Sequence, residues 1–465
     1  MLRLSPSRTA ISAVALSRTR LAAAGVNFPS ASRLLSTATG DAKTSTPKRH
    51  HVVIVGAGFG GLTTVQSLKG APVDITIIDR ANYHLFQPLL YQVGSCQLSP
   101  SDIAWPVRHL LGNRSEVTTL MGEVMDVDVD RQTVYLDHNL PINYDTLVLA
   151  TGAKDAYFGN DDWERFAPGL KSLKDATTLR RRLLMAFEMA EREPNPERRS
   201  SQMTLAIIGG GPTGVELAGA MAQMAHRTLP NEFRNIDTRK TRIVLIEAGP
   251  RVLSAFTEDL SEYAKAALED LGVEVHLNMP VSKLSKQGVE YGGQFLPCST
   301  IFWAAGVQAS PAARWLSASS DRAGRVRVEP DLSIPGHPNV FAIGDTAAVM
   351  GPNGKPIPGV APAAKQQGAY VGKLIRNRLL GKATRKAFQY YHTGNLATIG
   401  KNKAVVDFGF IKMTGWMAWW LWGIAHIYFL IGVRSRLSVA LSWLWSYTRN
   451  MRGSRLITQD HKQAP

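Results

Sequence analysis

The residues with the most chemical meaning in this chain are glycines. Gly56-Ala57-Gly58-Phe59-Gly60-Gly61 and Gly209-Gly210-Gly211-Pro212-Thr213-Gly214 each follow an apolar run and precede a stretch that reads as helix. In such a loop the first glycine allows a tight turn and the second lets backbone N–H groups approach a pyrophosphate. The third packs helix close to strand, and the helix N-terminus adds positive potential. A lone glycine motif is weak evidence, but here an acid ends the next apolar run in both cases, Asp79 and Glu247. Each is placed to accept from a ribose hydroxyl. Asp79 stands near the usual spacing of about 20 residues and Glu247 well beyond it, which an insertion over 227–241 explains. Two loops imply two dinucleotides, and a chain that holds two most simply passes electrons between them, so a flavin paired with a nicotinamide is the leading reading. A carboxylate at 247 repels a 2′-phosphate and favours NADH over NADPH, although Arg251 lies close by.

Cysteine usage narrows where the electrons go next. The chain has two cysteines, Cys96 and Cys298, and no C-x-x-C, so a local dithiol relay is excluded and buried free thiols are expected. No metal-binding signature is present: His50-His51 stand at the start of a strand and no loop of alternating acids occurs. No nucleic-acid partner is expected either.

These loops need elements to hold them. At 465 residues, 45% hydrophobic and 19% charged, the chain has a globular composition with room for two or three domains. Apolar runs at 51–55, 74–79 and 144–152 read as buried parallel strands; 124–129 and 133–136 alternate as antiparallel strands do. A second set follows at 204–208, 242–247 and 301–306, and 340–345 reads as a strand ending on Asp345. The expected fold class is α/β, with two Rossmann-like dinucleotide-binding domains, one inserted in the other. The expected boundaries are 48–170 and 306–390 for the outer dinucleotide-binding part, 171–305 for the inserted one, and 391–465 for a C-terminal membrane-anchoring region.

The two ends differ from the middle. The net charge of +16 is uneven. Residues 1–40 carry Arg3, Arg8, Arg18, Arg20 and Arg33 with no acid before Asp41, the composition of a mitochondrial transit peptide; a plain basic tail and a chloroplast address are the alternatives. Residues 1–47 are therefore set apart from the fold. At the other end, six of the ten tryptophans fall between Trp416 and Trp445, and 415–433 carries no Asp, Glu, Lys or Arg. As one helix that stretch would reach about 28 Å, barely the hydrocarbon thickness of a bilayer. The crowding of Trp416, Trp419, Trp420 and Trp422 at one end, with Arg434, Arg436, Arg449, Arg452 and Arg455 nearby, favours monotopic binding to an anionic surface. A single span and a buried dimer interface remain as alternatives.

The stretch Asn82-Tyr83-His84-Leu85-Phe86-Gln87-Pro88-Leu89-Leu90-Tyr91-Gln92-Val93, followed by Leu98-Ser99-Pro100-Ser101-Asp102-Ile103-Ala104, resembles the flavin-flanking segment of type II NADH:quinone oxidoreductases. The resemblance runs from about residue 50 to about 457 and takes in Leu149-Ala150-Thr151-Gly152, the second glycine loop, Ile343-Gly344-Asp345 and Ala361-Pro362-Ala363-Ala364-Lys365-Gln366-Gln367-Gly368. It implies FAD held by Gly56, Gly58, Gly61, Asp79, Thr151, Gly152 and Asp345. NADH would be held by Gly209, Gly211, Gly214 and Glu247, with Ala305 and Gly306 near the nicotinamide. Gln366 and Gln367 would meet the quinone. Pro362 stands where many members have glutamine, which puts the usual two-glutamine bracket in doubt and leaves Lys365 or Gln367 to compensate. Glu216 would serve coupling or proton delivery, or, placed on the first turn of its helix, would merely suit the helix dipole.

The implied activity is two-electron transfer from NADH through FAD to a membrane quinone such as ubiquinone, without proton pumping. The implied setting is the matrix face of the mitochondrial inner membrane, as a homodimer. Two rivals are another pyridine-nucleotide flavoprotein reductase, feeding a ferredoxin, a disulfide or sulfide, and a low-turnover membrane flavoprotein acting as scaffold or signalling factor.

Overall fold

In the computed structural model, residues 49–351, 354–383, 387–449 and 452–457 are described; the expected transit segment lies outside them. The chain opens with β1 (His50–Val55), whose last four residues are buried on both faces, as a near-continuous run of Val and Ile requires. The first glycine loop leads into α1 (Phe59–Ser67), then β2 (Val73–Asp79), β3 (Val117–Met121) and β4 (Thr146–Leu149). Helix α2 (Leu173–Arg192), capped by a reciprocal Ser172–Asp175 box, carries the chain to β5 (Thr204–Ile208), α3 (Pro212–Gln223), β6 (Arg242–Ile246), α4 (Glu258–Glu269), β7 (Val273–His276) and β8 (Thr300–Trp303). It then returns through β9 (Ser333–Ile334) and β10 (His337–Ala342).

Two sheets result. The first has the order β9-β10-β4-β1-β2-β3 and the second β7-β6-β5-β8. In the first, Ile54 pairs in parallel with Ile77 on one side and Val148 on the other; in the second, Ile207 does the same with Leu245 and Phe302. β10 completes the first sheet beside β4, with Phe341 opposite Val148, so the second unit lies between two parts of the first in sequence. Each half carries an antiparallel meander: Val124–Asp128, Thr133–Leu136 and Pro141–Asn143 in one, Val281–Ser285, Gly288–Tyr291 and Gln294–Pro297 in the other. The second meander escapes sequence reading because its short strands are broken by Gly288, Gly292 and Gly293.

After α5 (Ala361–Leu379) comes a three-stranded sheet, β11 (Asn395–Gly400), β12 (Lys403–Asp407) and β13 (Lys412–Thr414). It lies against α3 so closely that a Cβ on Gly219 would fall on the Ile399 carbonyl oxygen. Two helices are the last elements of the described chain, α6 (Gly415–Phe429) and α7 (Val433–Arg449). The uncharged stretch thus breaks after 15 residues, about 22 Å of helix. The break falls where Gly432 takes φ +82° against the Trp105 ring. The alternative of a single span is overturned: among the described residues no helix is long and apolar enough to cross a membrane. The tryptophans also divide. Trp419 and Trp422, one turn apart, are buried, whereas Trp416 and Trp420 face out.

Candidate functional site

The two glycine loops repeat one geometry. Gly56 and Gly209 take φ +106° and +109°, a region open to glycine, and a Cβ on either would strike the carbonyl oxygen of Ala150 or Ala304. Gly58 and Gly211 cap α1 and α3 with φ −74° and −70°, and a Cβ on either would meet nothing within 4 Å. Those two positions face open space, as a backbone that receives a pyrophosphate must. Gly61 and Gly214 press on the carbonyl oxygens of Gly56 and Gly209, leaving no room for a side chain.

The acids act on the loops first. Asp79 Oδ2 accepts from the Ala57 N–H at 2.6 Å and Oδ1 from Ala81 at 2.8 Å. Glu247 Oε2 accepts from the Gly210 N–H and Oε1 from Gly249 at 2.7 Å. Each carboxylate thereby fixes the middle of its loop, and each oxygen keeps a second lone pair that a ribose hydroxyl can use. Arg251 is turned away: its guanidinium donates to the Phe256 and Ser254 carbonyls at 3.0 and 3.1 Å. Residues 229–241, with a π-turn at Met224–Thr228 before them, separate α3 from β6 and account for the long spacing to Glu247.

A cavity of about 360 Å³ runs from the first loop past Asp79, Thr151, Gly152 and Lys171 to Asp345 and Gly359. A second, of about 220 Å³, adjoins it at Gly56, Asp79 and Thr151. Together they form an elongated trench whose floor is loop backbone, which suits a dinucleotide such as FAD. Burial pushes the Asp345 carboxyl above its ordinary value, while Lys171 and Arg325 oppose the shift. Sequence reading missed Lys171 and Thr346, and gave His84 no role of its own. Thr346 Oγ1 accepts from the Gly152 N–H at 3.0 Å, and Lys171 sits just before the α2 cap. His84 is buried, gives its Nδ1–H to the Ala57 carbonyl at 2.9 Å and leaves Nε2 without a partner among the described residues. Lys171 and Thr346 belong to no motif, so only the topology could have gathered them, whereas His84 lies in the segment 82–93 that carries the resemblance. Ala305 and Gly306 follow β8 beside the second loop. A Cβ on Gly306, φ +79°, would strike the exposed Phe158 ring.

From the trench a line of rings leads to α6. Phe59 meets Phe86 edge-on at 5.8 Å between centroids, and Phe86 meets His426 at 6.3 Å. On α6, Trp422, His426 and Phe429 share a face, the first two with centroids 4.4 Å apart, and Lys365 Nζ lies 5.1 Å from the centre of the Phe429 ring. His426 gives its Nδ1–H to the Trp422 carbonyl at 2.7 Å, and burial pushes its pKa down to about 4, so it is neutral at pH 7. Glu216 sits against Trp422 and Thr398. Burial pushes its pKa up to about 8; a long bond from the Thr398 N–H, 3.4 Å, and the nearby Trp422 indole N–H oppose the shift. Glu216 is the fifth residue of α3, beyond the first turn, so the helix-dipole account of it is overturned.

The glutamines have other engagements. Gln367 is buried and its Oε1 accepts from the Gly344 N–H at 2.6 Å, holding the turn that carries Asp345. Gln366 exchanges two 2.9 Å bonds with the backbone of Tyr391. Pro362 occupies the first turn of α5, where its missing N–H costs nothing. Cys96 and Cys298 are buried free thiols, pushed up to about 11 and 12, which removes them from thiol redox chemistry.

A paired-Rossmann flavoprotein with two pinned phosphate loops is the class this arrangement defines, and known proteins agree. Residues 50–368 match the pyridine nucleotide-disulphide oxidoreductase family and residues 392–449 the NDH2 C-terminal domain. The chain is 43% identical over 426 residues to the type II NADH:quinone oxidoreductase Ndh of Mycobacterium tuberculosis, covering 89% of this chain and 91% of that protein. It is 30% identical to the Staphylococcus haemolyticus enzyme of the same name, over 77% and 89% of the two chains. In fold it is similar to NDH2 of Plasmodium falciparum solved with NADH, with a TM-score of 0.79, 21% identity, and 89% of this chain and 100% of that one covered. The sulfide:quinone oxidoreductase of Aquifex aeolicus gives 0.67 at 19% identity, with 90% and 99% covered. The chain belongs to the type II NADH:quinone oxidoreductase family.

Proposed function

We propose that this protein takes two electrons from NADH through FAD and delivers them to a membrane quinone, without pumping protons. The observation that carries this reading is the continuous path from the pinned loops, along Phe59 and Phe86, to His426 and Phe429 on a helix whose other side is exposed and apolar. FAD, when bound, supplies hydride acceptance and onward two-electron delivery; the chain's own residues align, exclude water and handle the proton. In this reading Gly56, Gly58, Gly61, Asp79, Thr151, Gly152 and Asp345 hold FAD within 48–170 and 306–390. Gly209, Gly211, Gly214 and Glu247 hold NADH within 171–305, with Ala305 and Gly306 beside the nicotinamide. The quinone head group lies along the Trp422–His426–Phe429 face between Glu216 and Lys365. Lys365, half-buried with its pKa lowered by that burial, takes the donor role that Pro362 cannot fill, Gln366 flanks it, and Gln367 braces the Asp345 turn.

Glu216 is the proton source. Its carboxyl stays protonated through neutral pH, and neutral His426 cannot substitute. The region 391–465 binds an anionic bilayer surface in a monotopic manner, with exposed Arg434 and Arg449 at the edge of the apolar face. The composition of residues 1–40 supports a mitochondrial setting, on the matrix face of the inner membrane, and the family's habits support a homodimer. Purified full-length protein should oxidise NADH with a short-chain quinone. A flavin bleached by NADH yet never reoxidised by quinone would defeat the reading.

A further inference from the structure

One stripe of α3 connects two spaces. Thr213 lines the dinucleotide trench. Glu216, Ala220 and Gln223, spaced by three and four residues along the same helical face, line a separate polar cavity of about 10 Å³, room for about one ordered water. Its inner wall holds Tyr91 and the buried Gln223, whose Nε2 has no hydrogen-bond partner among the described residues. Its outer wall holds the partly exposed Gln97, Lys401 and Tyr447. A buried amide and a weakly bonded carboxyl facing a water-sized hole are groups that a water completes.

We propose that this cavity is the proton-uptake relay of the enzyme: a water between Glu216 and Gln223 reprotonates Glu216 from solvent at the Gln97–Lys401 mouth. The proposal rests on the reading of Glu216 as proton source. NADH brings two electrons and one proton as hydride, and a quinol needs two protons, so each turnover draws one from solution. As the quinol O–H bond forms, the Glu216 O–H bond breaks. The carboxylate then takes a proton from the cavity water, which is resupplied from bulk.

Other groups around Glu216 are poor substitutes. Tyr91, from the short helix Leu90–Gly94, is held above its ordinary value by burial and by the Glu216 charge, and Tyr447 from α7 is pushed up to about 12 by burial. His426 from α6 is neutral, and Arg452, behind both tyrosines, is a cation without a carboxylate partner in the ion pairs described. Lys401 is tied to the Tyr447 carbonyl at 2.7 Å and marks the mouth.

Two variants test the relay in full-length protein. Gln223→Met removes the amide at nearly constant volume. Gly400→Ala sets a methyl 2.7 Å from Gln223 Nε2 and crowds the water position. Short-chain quinone and ferricyanide, which accepts electrons without protons, are compared as acceptors in H₂O and D₂O. Quinone turnover is expected to fall about tenfold, short of the ~100-fold that a general acid can contribute, with a larger solvent isotope effect and unchanged ferricyanide turnover. Wild-type quinone turnover and isotope effect in Gln223→Met, or equal losses with both acceptors, would overturn the relay. A wild-type enzyme inactive toward quinone would instead overturn the parent reading and the relay with it.

Discussion

At the residue scale the carboxylates divide the labour. With a pKa of about 8 against an ordinary 4.5, Glu216 binds its proton more tightly in the folded chain than in the unfolded one. The stability this gives is complete below the ordinary carboxylate range and is lost as pH rises through the interval up to about 8, where the buried group must ionise. Glu216→Gln should flatten that loss, read as melting temperature from pH 5 to pH 9. The same variant should lose quinone turnover and the decline of wild-type turnover above pH 8, while NADH still bleaches the flavin; retention of the wild-type profile would remove Glu216 from proton delivery. Glu247 is expected to set nucleotide choice alone, because the Arg251 guanidinium is occupied by carbonyls. Glu247→Ser should raise NADPH turnover relative to NADH by about tenfold, and an unchanged ratio would reassign the discrimination. Part of the variant's loss will be general, since Glu247 also pins Gly210.

Elements explain what single residues cannot. The outer faces of α6 and α7 present Trp416, Trp420, Ile424 and Tyr428, then Val433, Leu437 and Leu441, each run at i, i+4 spacing. Their inner faces bury Trp419, Trp422 and Trp443, with the Trp443 N–H on Gln92 at 2.7 Å. Deleting the tail near residue 412 would therefore strip the core and confuse two effects. Ile424→Glu with Leu441→Glu is the cleaner test. Each change removes about 1.5–3 kcal/mol of apolar transfer, so sedimentation with anionic vesicles should be lost while NADH:ferricyanide turnover persists. The hairpin depends in turn on the β11–α3 contact. Gly219→Ala would drive a methyl into the Ile399 carbonyl, at an overpacking cost of about 1–3 kcal/mol, and should lower the melting temperature and disturb the Thr398–Glu216 bond. Normal stability in that variant would show that β11 can yield.

Across the whole molecule, what sequence made legible was whatever a local pattern carries. The glycine loops, their acids and the buried parallel strands follow from spacing and apolar runs, and the family fold follows from the motifs together. The proposed quinone end was less legible because it would be assembled from four distant places: Phe86, Glu216, Lys365 and His426 share no motif. The amide of Gln367 is spent on Gly344, a pairing that only the return of α5 beneath β10 creates. The helix break at Gly432 was invisible in composition, since a residue with φ +82° leaves no trace in hydropathy.

Arg452 adds a consequence of another kind. Its guanidinium is buried, donating to the Ser95 carbonyl of the first half at 2.6 Å and to the Ala220 carbonyl of α3 at 2.9 Å, and burial lowers its pKa to about 10. These bonds join parts made hundreds of residues earlier, so the clasp closes only after both halves and the hairpin have been synthesised. A nascent chain that already carries both glycine loops still lacks this joint between them and the hairpin. The last tie of the fold is thus also the last to be made.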